Sequence, residues 1–327
     1  MAVYTHLGAE DMAALIAAFD VGELRSAKGI AEGVSNSNWL IETSGRDGAG
    51  ARFILTMYEY RIDTAELPYF LGLLDHLAAK GCPVPRTIHD RDGNLFRVID
   101  GKCVALIEFL PGVSVSLPSP DQAQAVGRAL AQVHRAAADF SGSRANGMNL
   151  AESRRLLDAC GPAGLAEIDS TLPALVRDAL DTLEREWPAD LPRSVIHADL
   201  FPDNVLMLGS RVTGLIDFYF ACNDQAAYDV ATTHAAWCFS NDGSTFDAEL
   251  SCALLAGYEA GRPLSAAERA ALPVLARGAC LRFVASRAYD WLNTPRGALV
   301  SPKDPMAFAR RMAFYADPAN AAVFAAP

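Results

Sequence analysis

The side chains best suited to chemistry lie in one short stretch, where His197, Asp199 and Asn204 form the pattern His-x-Asp-x-x-x-x-Asn. A second acid, Asp217, follows eighteen residues after Asp199 within the apolar run at residues 214–218. A carboxylate such as Asp199 can accept a hydroxyl proton and orient the oxygen. The side-chain oxygens of Asn204 and Asp217 are hard ligands of the kind that Mg²⁺ prefers. The combination is suited to phosphoryl transfer.

The specificity of this pattern comes from the combination rather than from its first part. His-x-Asp-x-x-x-x-Asn alone is expected by chance in about one chain in a hundred of this length, and Asp217 on a predicted strand makes the set more specific. In a purely structural interpretation, Asp199 and Asp203 cap a helical turn and Asn204 sits in a turn. For His197 we favour a structural role, in which the imidazole supports the loop by hydrogen bonding and shuttles no proton.

The composition limits the kinds of partner that the chain can bind. Its 327 residues carry 28 basic and 39 acidic side chains, a net charge of −11, whereas proteins that bind nucleic acid or anionic membranes over a large surface are usually basic. A phosphate-bearing ligand would therefore need local positive charge or a metal ion. We expect a small-molecule substrate, with no nucleic acid and no membrane as partner, while the oligomeric state stays open.

The cysteines and the N-terminal segment indicate the compartment. The seven cysteines are odd in number and include no Cys-x-x-Cys pair, so they predict neither a disulfide framework nor a zinc site. The first twenty residues contain three acidic side chains and no basic stretch, which does not fit a signal peptide, and no apolar run is long enough to span a bilayer. We therefore expect a cytoplasmic protein with reduced thiols.

The elements that must position the candidate side chains fall into two groups along the chain. In the first hundred residues, β-forming segments alternate with two amphipathic helical segments, the first of which places Met12, Leu15, Ile16 and Phe19 on one face. The second helix is expected at residues 67–77, before the stop signal Gly-Cys-Pro-Val-Pro at 81–85. The expected strands are residues 38–43, 52–58, 95–99 and 104–109.

Beyond about residue 110 the chain is mainly helical. Ser119, Pro120 and Gln122 predict a helix start with a capping box and proline in the first turn, and β-type segments recur near residues 194–196 and 212–218. We predict an α+β protein of two lobes, a small antiparallel β-rich N-lobe at residues 1–107 and a larger, mainly helical C-lobe at residues 108–327. Ligands would bind in a cleft between such lobes.

A family resemblance accounts for both the loop and the two-lobe organisation. The sequence HADLFPDN at 197–204, followed by IDF at 216–218, resembles the phosphotransfer loop of the aminoglycoside phosphotransferase and choline kinase superfamily, whose fold is protein-kinase-like. Three further stretches resemble the bacterial homoserine kinases built on that fold, and the likeness runs nearly end to end. They are GVSNSN at 33–38, ILTMYE at 54–59 with ELPYF at 66–70, and LRF at 281–283 through YDW at 289–291 to PKDP at 302–305.

The resemblance implies a role for each residue of the loop. Asp199 would be the catalytic base or orienting carboxylate, Asn204 and Asp217 would hold Mg²⁺, and ATP would be the phosphoryl donor. Asp229 matches a superfamily aspartate that braces the loop, although a helix N-cap is an alternative interpretation. His197 would support the same loop. Catalysis would then consist of positioning and charge neutralisation.

The resemblance also implies that the N-lobe covers the nucleotide. The loop at 33–38 would bind phosphate oxygens through backbone amides and polar side chains. The tether at 107–110 would offer backbone groups to adenine, unless it is simply the end of a strand. The implied nucleotide-binding residues are Gly33, Ser35, Asn36 and Ser37 in the loop, and Glu108 and Leu110 in the tether.

One departure from the general kinase pattern concerns the phosphate-binding cation. Kinase-like folds usually carry a lysine on the third strand, paired with a helix glutamate. Here Thr56 stands at that point, although Glu66 is available on the next helix. The homoserine kinases of this type resemble the chain in this respect as well. The cation that binds the α- and β-phosphates is therefore unassigned, and Lys28 and Arg61 are both candidates.

The late segment suits an acceptor with the charges of an amino acid. A carboxylate is best bound by an arginine with a bidentate fork, and an ammonium needs a carboxylate. Arg282, Arg287 and Asp290 lie at helical spacing, with Arg287 and Asp290 three residues apart. We assign them to the substrate, against the alternative of a surface ion pair worth about 0–1 kcal/mol.

These expectations converge on one activity and leave two alternatives open. We expect an ATP-dependent kinase that phosphorylates the hydroxyl of L-homoserine, which would feed threonine synthesis. The first alternative keeps the fold and changes the acceptor to choline, an aminoglycoside or methylthioribose. The second is a non-catalytic nucleotide-binding module, which the missing strand lysine would suit. The intact set of Asp199, Asn204 and Asp217 speaks against that second alternative, because a binding module needs no base.

Overall fold

The computed structural model describes residues 7–30, 36–59, 63–295 and 302–324, and the chain divides into two units, Met1–Pro111 and Gly112–Pro327. The boundary expected after residue 107 falls inside the last strand of the first unit, Lys102–Glu108. That strand continues through residue 108 because Glu108 still pairs with Phe53 on the neighbouring strand.

The first unit is built on an antiparallel sheet, as the sequence predicts. Its strands are ordered β1-β2-β3-β6-β4, and β5 pairs with β6. The described helices are α1 (Ala9–Ala17) and α2 (Leu67–Ala79). The strands are β1 (Leu24–Ile30), β2 (Asn36–Thr43), β3 (Ala51–Tyr58), β4 (Thr87–Ile88), β5 (Arg97–Ile99) and β6 (Lys102–Glu108).

One face of this sheet packs against α1. Ile16 and Phe19, both fully buried, join Trp39 and Ile41 of β2 and Leu55 of β3 in one hydrophobic cluster. Because side chains alternate between the two faces of a strand, the residues between them, such as those at 38 and 40, point to the opposite face. This alternation decides which polar side chains of β2 lie on each side of the sheet.

The second unit is mainly helical and carries two short two-stranded sheets, β10 with β7 and β8 with β9. Its first helix begins as predicted, with the capping box of Ser119 and Gln122. The helices are α3 (Pro120–Ala136), α4 (Leu150–Ile168), α5 (Leu172–Glu186), α6 (Ala226–Trp237), α7 (Ala248–Gly261), α8 (Ala266–Asn293) and α9 (Met306–Ala316). The strands are β7 (Arg193–Ile196), β8 (Val205–Leu208), β9 (Arg211–Leu215) and β10 (Cys222–Gln225).

The helices of the second unit are closely packed. Helices α3 and α7 approach so closely that a Cβ on Gly127 would lie 2.1 Å from the carbonyl oxygen of Leu254. Helix α6 is buried along its whole length, so a polar residue within it must find its partners inside the protein.

Among the described residues, no helix has the length and apolar character needed to cross a membrane.

The structure differs from the predicted elements at three places. Strand β1 carries mostly exposed residues, so no alternation of apolar side chains marks it in the sequence. The strand expected at 212–218 ends at Leu215, since Asp217 adopts a left-handed conformation with φ of 65°. The strand expected at 95–99 begins only at Arg97.

Candidate active site

The loop that follows β7 brings the predicted catalytic residues together. The side-chain amide of Asn204 donates a hydrogen bond to the backbone carbonyl of Asp199 at 2.8 Å and lies 3.5 Å from its carboxylate. The carbonyl of Asn204 accepts the amide of Ile216 at 3.0 Å, which places Asp217 beside the loop. The β8–β9 hairpin thus brings Ile216 back to Asn204, twelve positions earlier in the chain.

Asp217 lies in an acidic environment at the end of β9. The Asp217 side chain is exposed, yet loss of solvation, followed by the charges of the neighbouring Asp199 and Asp203, raises its pKa to about 7. Lys303 acts in the opposite direction. The raised pKa therefore reflects mainly the loss of solvation and, after it, repulsion between the acidic side chains.

The donor set fits a hard divalent cation. A carboxylate and an amide oxygen, from Asp217 and Asn204, are ligands that Mg²⁺ accepts. Such an ion would also relieve the repulsion that raises the pKa of Asp217. Within the described parts of the chain, no group of three or more His, Cys, Asp or Glu side chains is placed to hold a metal ion.

Asp199 is held between burial and positive charge. Its side chain is 19% exposed, and burial raises the pKa of its carboxyl, while the positive charge of Arg282 lowers it. The nearest guanidinium nitrogen of Arg282 lies 3.8 Å from the carboxylate. A carboxylate in this environment is only weakly solvated and is available to accept a proton from a nearby hydroxyl.

His197 holds the loop through both ring nitrogens. Its Nε2 donates to the carbonyl of Ile216 at 2.9 Å, and its Nδ1 accepts the amide of Asp199 at 3.3 Å. Burial lowers the pKa of this imidazole, which keeps the ring neutral with one donor and one acceptor. These contacts link the catalytic loop to the strand that carries Asp217, which is the arrangement expected of a loop-supporting residue.

Asp229 binds the loop from within α6. Its carboxylate accepts the amide of His197 at 2.7 Å and that of Ala198 at 2.8 Å, as well as His134 Nε2 at 3.0 Å. Burial alone would raise its pKa, but these hydrogen bonds and the nearby imidazoles outweigh burial and lower it. The helix N-cap is Gln225, so Asp229 does not cap α6.

The late segment places aromatic rings and cations beside the loop. The rings of Phe201 and Phe308 have centroids 5.8 Å apart, and the Arg287 guanidinium lies 4.5 Å from the Phe308 centroid. Lys303 lies 3.7 Å from the carboxylate of Asp203. Burial, followed by the charge of Arg311, lowers the pKa of Arg287 to about 10, so this side chain remains a cation at neutral pH.

The three residues assigned to the substrate differ in accessibility. Arg282 is 3% exposed, and its guanidinium binds the carbonyl of Ala198. Arg287 is half-buried and donates to the carbonyl of Asp304 at 3.1 Å. Asp290 is exposed, and in the described part of the chain no ion pair joins it to Arg287. The helical spacing correctly predicts that Arg287 and Asp290 are neighbours on α8, but the two side chains do not form an ion pair with each other.

The loop residues of the first unit are only partly described. Gly33 and Ser35 lie outside the described residues. Asn36 is buried, and its side-chain oxygen has no hydrogen-bond partner among the residues that the structure describes. Ser37 is fully buried on the α1 face of the sheet, where its hydroxyl donates to Glu59 at 2.7 Å. The Ser37 hydroxyl is thus already bound to Glu59, and its contact with a nucleotide stays a prediction.

At the end of β6, Glu108 is already engaged. Its amide donates to the carbonyl of Arg86 at 2.9 Å, and its carboxylate accepts Arg86 Nε at 3.1 Å and Nη2 at 3.2 Å. A ligand would therefore find only the Glu108 carbonyl rather than its amide. Leu110, half-buried and outside regular structure, follows two residues later.

Thr56 occupies the position where kinase-like folds usually carry lysine, and its hydroxyl donates to Asn38 at 2.9 Å. Strand register places Asn38 opposite Thr56 and Lys28 opposite Leu40. Because residues 38 and 40 of β2 share a face, Lys28 and Thr56 lie on the same side of the sheet. Lys28 is exposed.

Two other candidates on this unit are Arg61 and Glu66. Arg61 lies outside the described residues. Glu66, half-buried, immediately precedes α2. Lys102 on β6 forms an ion pair of 2.5 Å with the buried Glu59, on the face that carries Ser37. The basic side chain that shares a face with Thr56 on the described strands β1 and β2 is thus Lys28.

Sequence reasoning missed several residues of the site. Trp237 donates to the carbonyl of Leu200 at 2.9 Å, and His134 reaches Asp229 from α3. Ala198 adopts a left-handed conformation with φ of 62°, which nothing in its residue type indicates. Lys303 lies in the PKDP motif and Asp203 in HADLFPDN, and their opposite charges could have indicated that both belong to the site.

The sequence matches a known protein family over most of its length. The sequence model described as "Phosphotransferase enzyme family" matches residues 26–264. This range includes the sheet from β1 onwards, the catalytic loop and Asp217.

Individual proteins give a closer comparison. The chain is 49% identical to a homoserine kinase of Azorhizobium caulinodans over 321 residues, which covers 98% of each protein. It is 48% identical to a homoserine kinase of Brucella anthropi, which covers 96% of this chain and 94% of that protein. In structure it resembles an amicoumacin kinase in complex with AMP-PNP and Ca²⁺, with a TM-score of 0.68, 16% identity and coverage of 94% and 93%.

The structural likeness, at low sequence identity, shows the fold alone, and it confirms the predicted kinase-like α+β class. The match to the family and the full-length relatives carry the assignment further. The chain therefore belongs to the phosphotransferase enzyme family and, within it, to the homoserine kinases.

Proposed function

We propose that this protein transfers the γ-phosphoryl group of ATP to the side-chain hydroxyl of L-homoserine, a step in threonine synthesis. In this reaction the hydroxyl oxygen forms a bond to the γ-phosphorus, the bond between that phosphorus and the bridging oxygen breaks, and ADP leaves. The proton of the hydroxyl passes to a base. The relatives that match along nearly the whole chain are homoserine kinases.

The base in this proposal is Asp199. Its carboxylate is partly exposed, and the loop that carries it is fixed by Asn204, His197 and Asp229. Held this way, Asp199 orients the acceptor hydroxyl towards the γ-phosphorus and takes its proton, and positioning supplies much of the rate enhancement.

Asn204 and Asp217 would hold Mg²⁺. When bound, the ion supplies positive charge that neutralises phosphate oxygens of ATP. The support for this assignment is the donor chemistry of the two side chains and the surroundings of Asp217, where loss of solvation, followed by the charges of Asp199 and Asp203, raises its pKa to about 7. A cation at this position would favour the ionised carboxylate.

The first unit would contact the nucleotide through one side chain and through backbone groups. These contacts are the Asn36 side chain and the backbone groups of Glu108 and Leu110. The Ser37 hydroxyl is not included, because it already donates to Glu59. For the missing strand lysine we assign Lys28, which is exposed on the same sheet face as Thr56.

The acceptor is assigned from the charges beside the loop, and this is the observation that carries the choice of homoserine. Next to Asp199, two cations lie against aromatic rings: Arg287 against Phe308 and Lys303 against Phe201. One nitrogen of Arg287 donates to Asp304, and its other N–H groups have no protein partner among the described residues. They are suited to a carboxylate. Asp290, less than one turn further along α8, is the proposed partner of the ammonium group.

The alternative acceptors fit these charges less well. Choline and the aminoglycosides are cations without a carboxylate, and Arg287 and Lys303 would repel them. Methylthioribose is neutral and would leave the Arg287 guanidinium without an anionic partner. A non-catalytic nucleotide-binding module would need no base at the position of Asp199.

The test is ADP release by the purified protein with ATP, Mg²⁺ and each acceptor in turn: L-homoserine, choline, an aminoglycoside and methylthioribose. We expect homoserine alone to support turnover, with phosphohomoserine identified by mass spectrometry. Arg287→Met should raise the KM for homoserine at least tenfold while the KM for ATP stays within twofold. Arg310→Met is the matched control, because Arg310 is an exposed arginine that binds Asp242 and Asp304. Preferred turnover of another acceptor would refute the assignment.

The proposed activity also indicates the cellular compartment in which the protein would act. ATP and an amino-acid intermediate are metabolites of the cytoplasm, where we propose that the enzyme acts. Its partners in the proposal are small molecules only.

A further inference from the structure

Arg282 occupies an unusual position for a charged side chain. It lies in the middle of α8 and is 3% exposed. Its guanidinium lies 5.1 Å from the centroid of Phe220 and 4.6 Å from that of Phe283. A desolvated cation between aromatic rings has little freedom to reorient, so its contacts to the loop are fixed.

Those contacts fall on the catalytic loop itself. One terminal nitrogen of Arg282 donates to the backbone carbonyl of Ala198, and the other lies 3.8 Å from the Asp199 carboxylate. The side chain therefore contacts both the peptide group that precedes Asp199 and the carboxylate that would receive the proton.

Asp229 holds the same residue from the other side. It accepts the amide of Ala198, whereas Arg282 binds the carbonyl of Ala198. Ala198 has a φ of 62°, a conformation that a residue with a Cβ rarely adopts without support from its surroundings. Fixing the peptide groups on both sides of Ala198 sets its two backbone dihedral angles, and these determine where Asp199 points.

We propose that Arg282 is a positioning residue, which together with Asp229 holds Ala198 in its left-handed conformation and thereby aims the Asp199 carboxylate, and that it does not bind the acceptor. The inference rests on the proposed function. It reassigns Arg282, for which helical spacing had suggested a role in binding the substrate carboxylate, and leaves that role to the more accessible Arg287.

The two roles predict different kinetics. A residue that binds the acceptor carboxylate mainly changes the KM for homoserine, whereas a residue that aims the base mainly changes kcat. Arg282→Met removes the charge and both contacts while it keeps an apolar chain between the rings. Arg282→Lys keeps the charge but cannot make both contacts, because an ammonium group lacks the fork of a guanidinium.

We expect Arg282→Met to lower kcat about 100-fold, the size of effect that misplacement by about 1 Å can produce, with both KM values within twofold of the wild type. Arg282→Lys should recover part of this loss. The matched control is Arg277→Met on the same helix, since Arg277 binds Asp178 and not the loop, and its kcat should stay near that of the wild type. A tenfold rise in the KM for homoserine with unchanged kcat, or kcat within threefold in Arg282→Met, would overturn the proposal.

Amide hydrogen exchange separates this proposal from the proposed function and from simple unfolding. In Arg282→Met, the amides of residues 197–201 should exchange at least tenfold faster, while those of the buried helix α6 keep wild-type protection. Unchanged exchange in the loop would overturn the positioning role. If Arg282→Met does not fold, the same exchange and kinetic measurements on Arg282→Lys decide. A wild-type protein that phosphorylates no acceptor would refute the proposed function, while the exchange data would still decide whether Arg282 holds the loop.

Discussion

Replacing Asp229 by asparagine is expected to weaken both the fold and the catalytic loop, because this buried carboxylate accepts hydrogen bonds at both of its oxygens. Its Oδ2 accepts the His197 amide and His134, and its Oδ1 accepts the Ala198 amide at 2.8 Å. Asparagine has one acceptor oxygen. Its NH₂ group would therefore face one of these donors.

The size of the effect follows from these contacts. A hydrogen bond to a charged group contributes about 1.5–3 kcal/mol, and a buried donor left without a partner costs about 1–3 kcal/mol more. We expect Asp229→Asn to lower the free energy of unfolding by about 2.5–6 kcal/mol, the sum of these two contributions. Since the lost contact is the one that fixes Ala198, we also expect kcat to fall about 100-fold.

The assay is urea unfolding followed by circular dichroism, together with homoserine-dependent ADP release at saturating substrates. Asp158→Asn is the matched control, because Asp158 is exposed on α4 and such surface changes stay within about 0.5 kcal/mol. If Asp229→Asn unfolds within 1 kcal/mol of the wild type and keeps kcat within twofold, the assignment of Asp229 as the loop brace is refuted.

Three further predictions concern the nucleotide, the helix packing and the acid stability. Lys28→Met should raise the KM for ATP about tenfold, as expected for one charge-assisted contact of about 1.5 kcal/mol, and an unchanged KM would exclude Lys28 as a phosphate ligand. Gly127→Ala should lower the free energy of unfolding by at least about 1–3 kcal/mol, since its Cβ would lie 2.1 Å from the Leu254 carbonyl oxygen. The matched Gly72→Ala, with open space around the new Cβ, should instead gain about 0.5–1 kcal/mol, and equal losses would contradict this explanation. Burial lowers the pKa of His234 from 6.5 to about 3, so below pH 6.5 the unfolded chain binds a proton that the folded state excludes. The free energy of unfolding should therefore fall as the pH drops from 6.5 towards 3, by up to about 1.4 kcal/mol per pH unit from this residue. Urea unfolding at several pH values should show a shallower slope in His234→Gln, and identical slopes would contradict the assignment.

Much of the fold follows from local sequence signals. The capping box of Ser119 and Gln122 and the apolar face of α1 depend on residues close together in the chain, and both are present as predicted. Strand β1 was missed because its side chains are mostly exposed, so that it has no alternating pattern. Pairing with β2 supplies its order, and no local pattern in β1 reveals this.

For the candidate site, too, the sequence predicted some features and could not reveal others. The pattern of Asp199, Asn204 and Asp217 identified residues that the structure brings together. In contrast, the spacing of Arg282 on a helix could not reveal that its side chain is buried against Ala198. The hydroxyl of Ser37 faces α1 for a similar reason, since the register of a strand, and not the residue type, decides which face a side chain occupies.

The central claim is that Asp199 is the base of a phosphoryl transfer to homoserine. The most direct measurement compares wild-type and Asp199→Asn protein in homoserine-dependent ADP release, with ATP binding measured by calorimetry on the same samples. We predict that turnover falls by a factor between about 10² and 10⁴, the usual contribution of a positioned acid or base, while the affinity for ATP with Mg²⁺ stays within threefold. Turnover within tenfold of the wild type would contradict the claim.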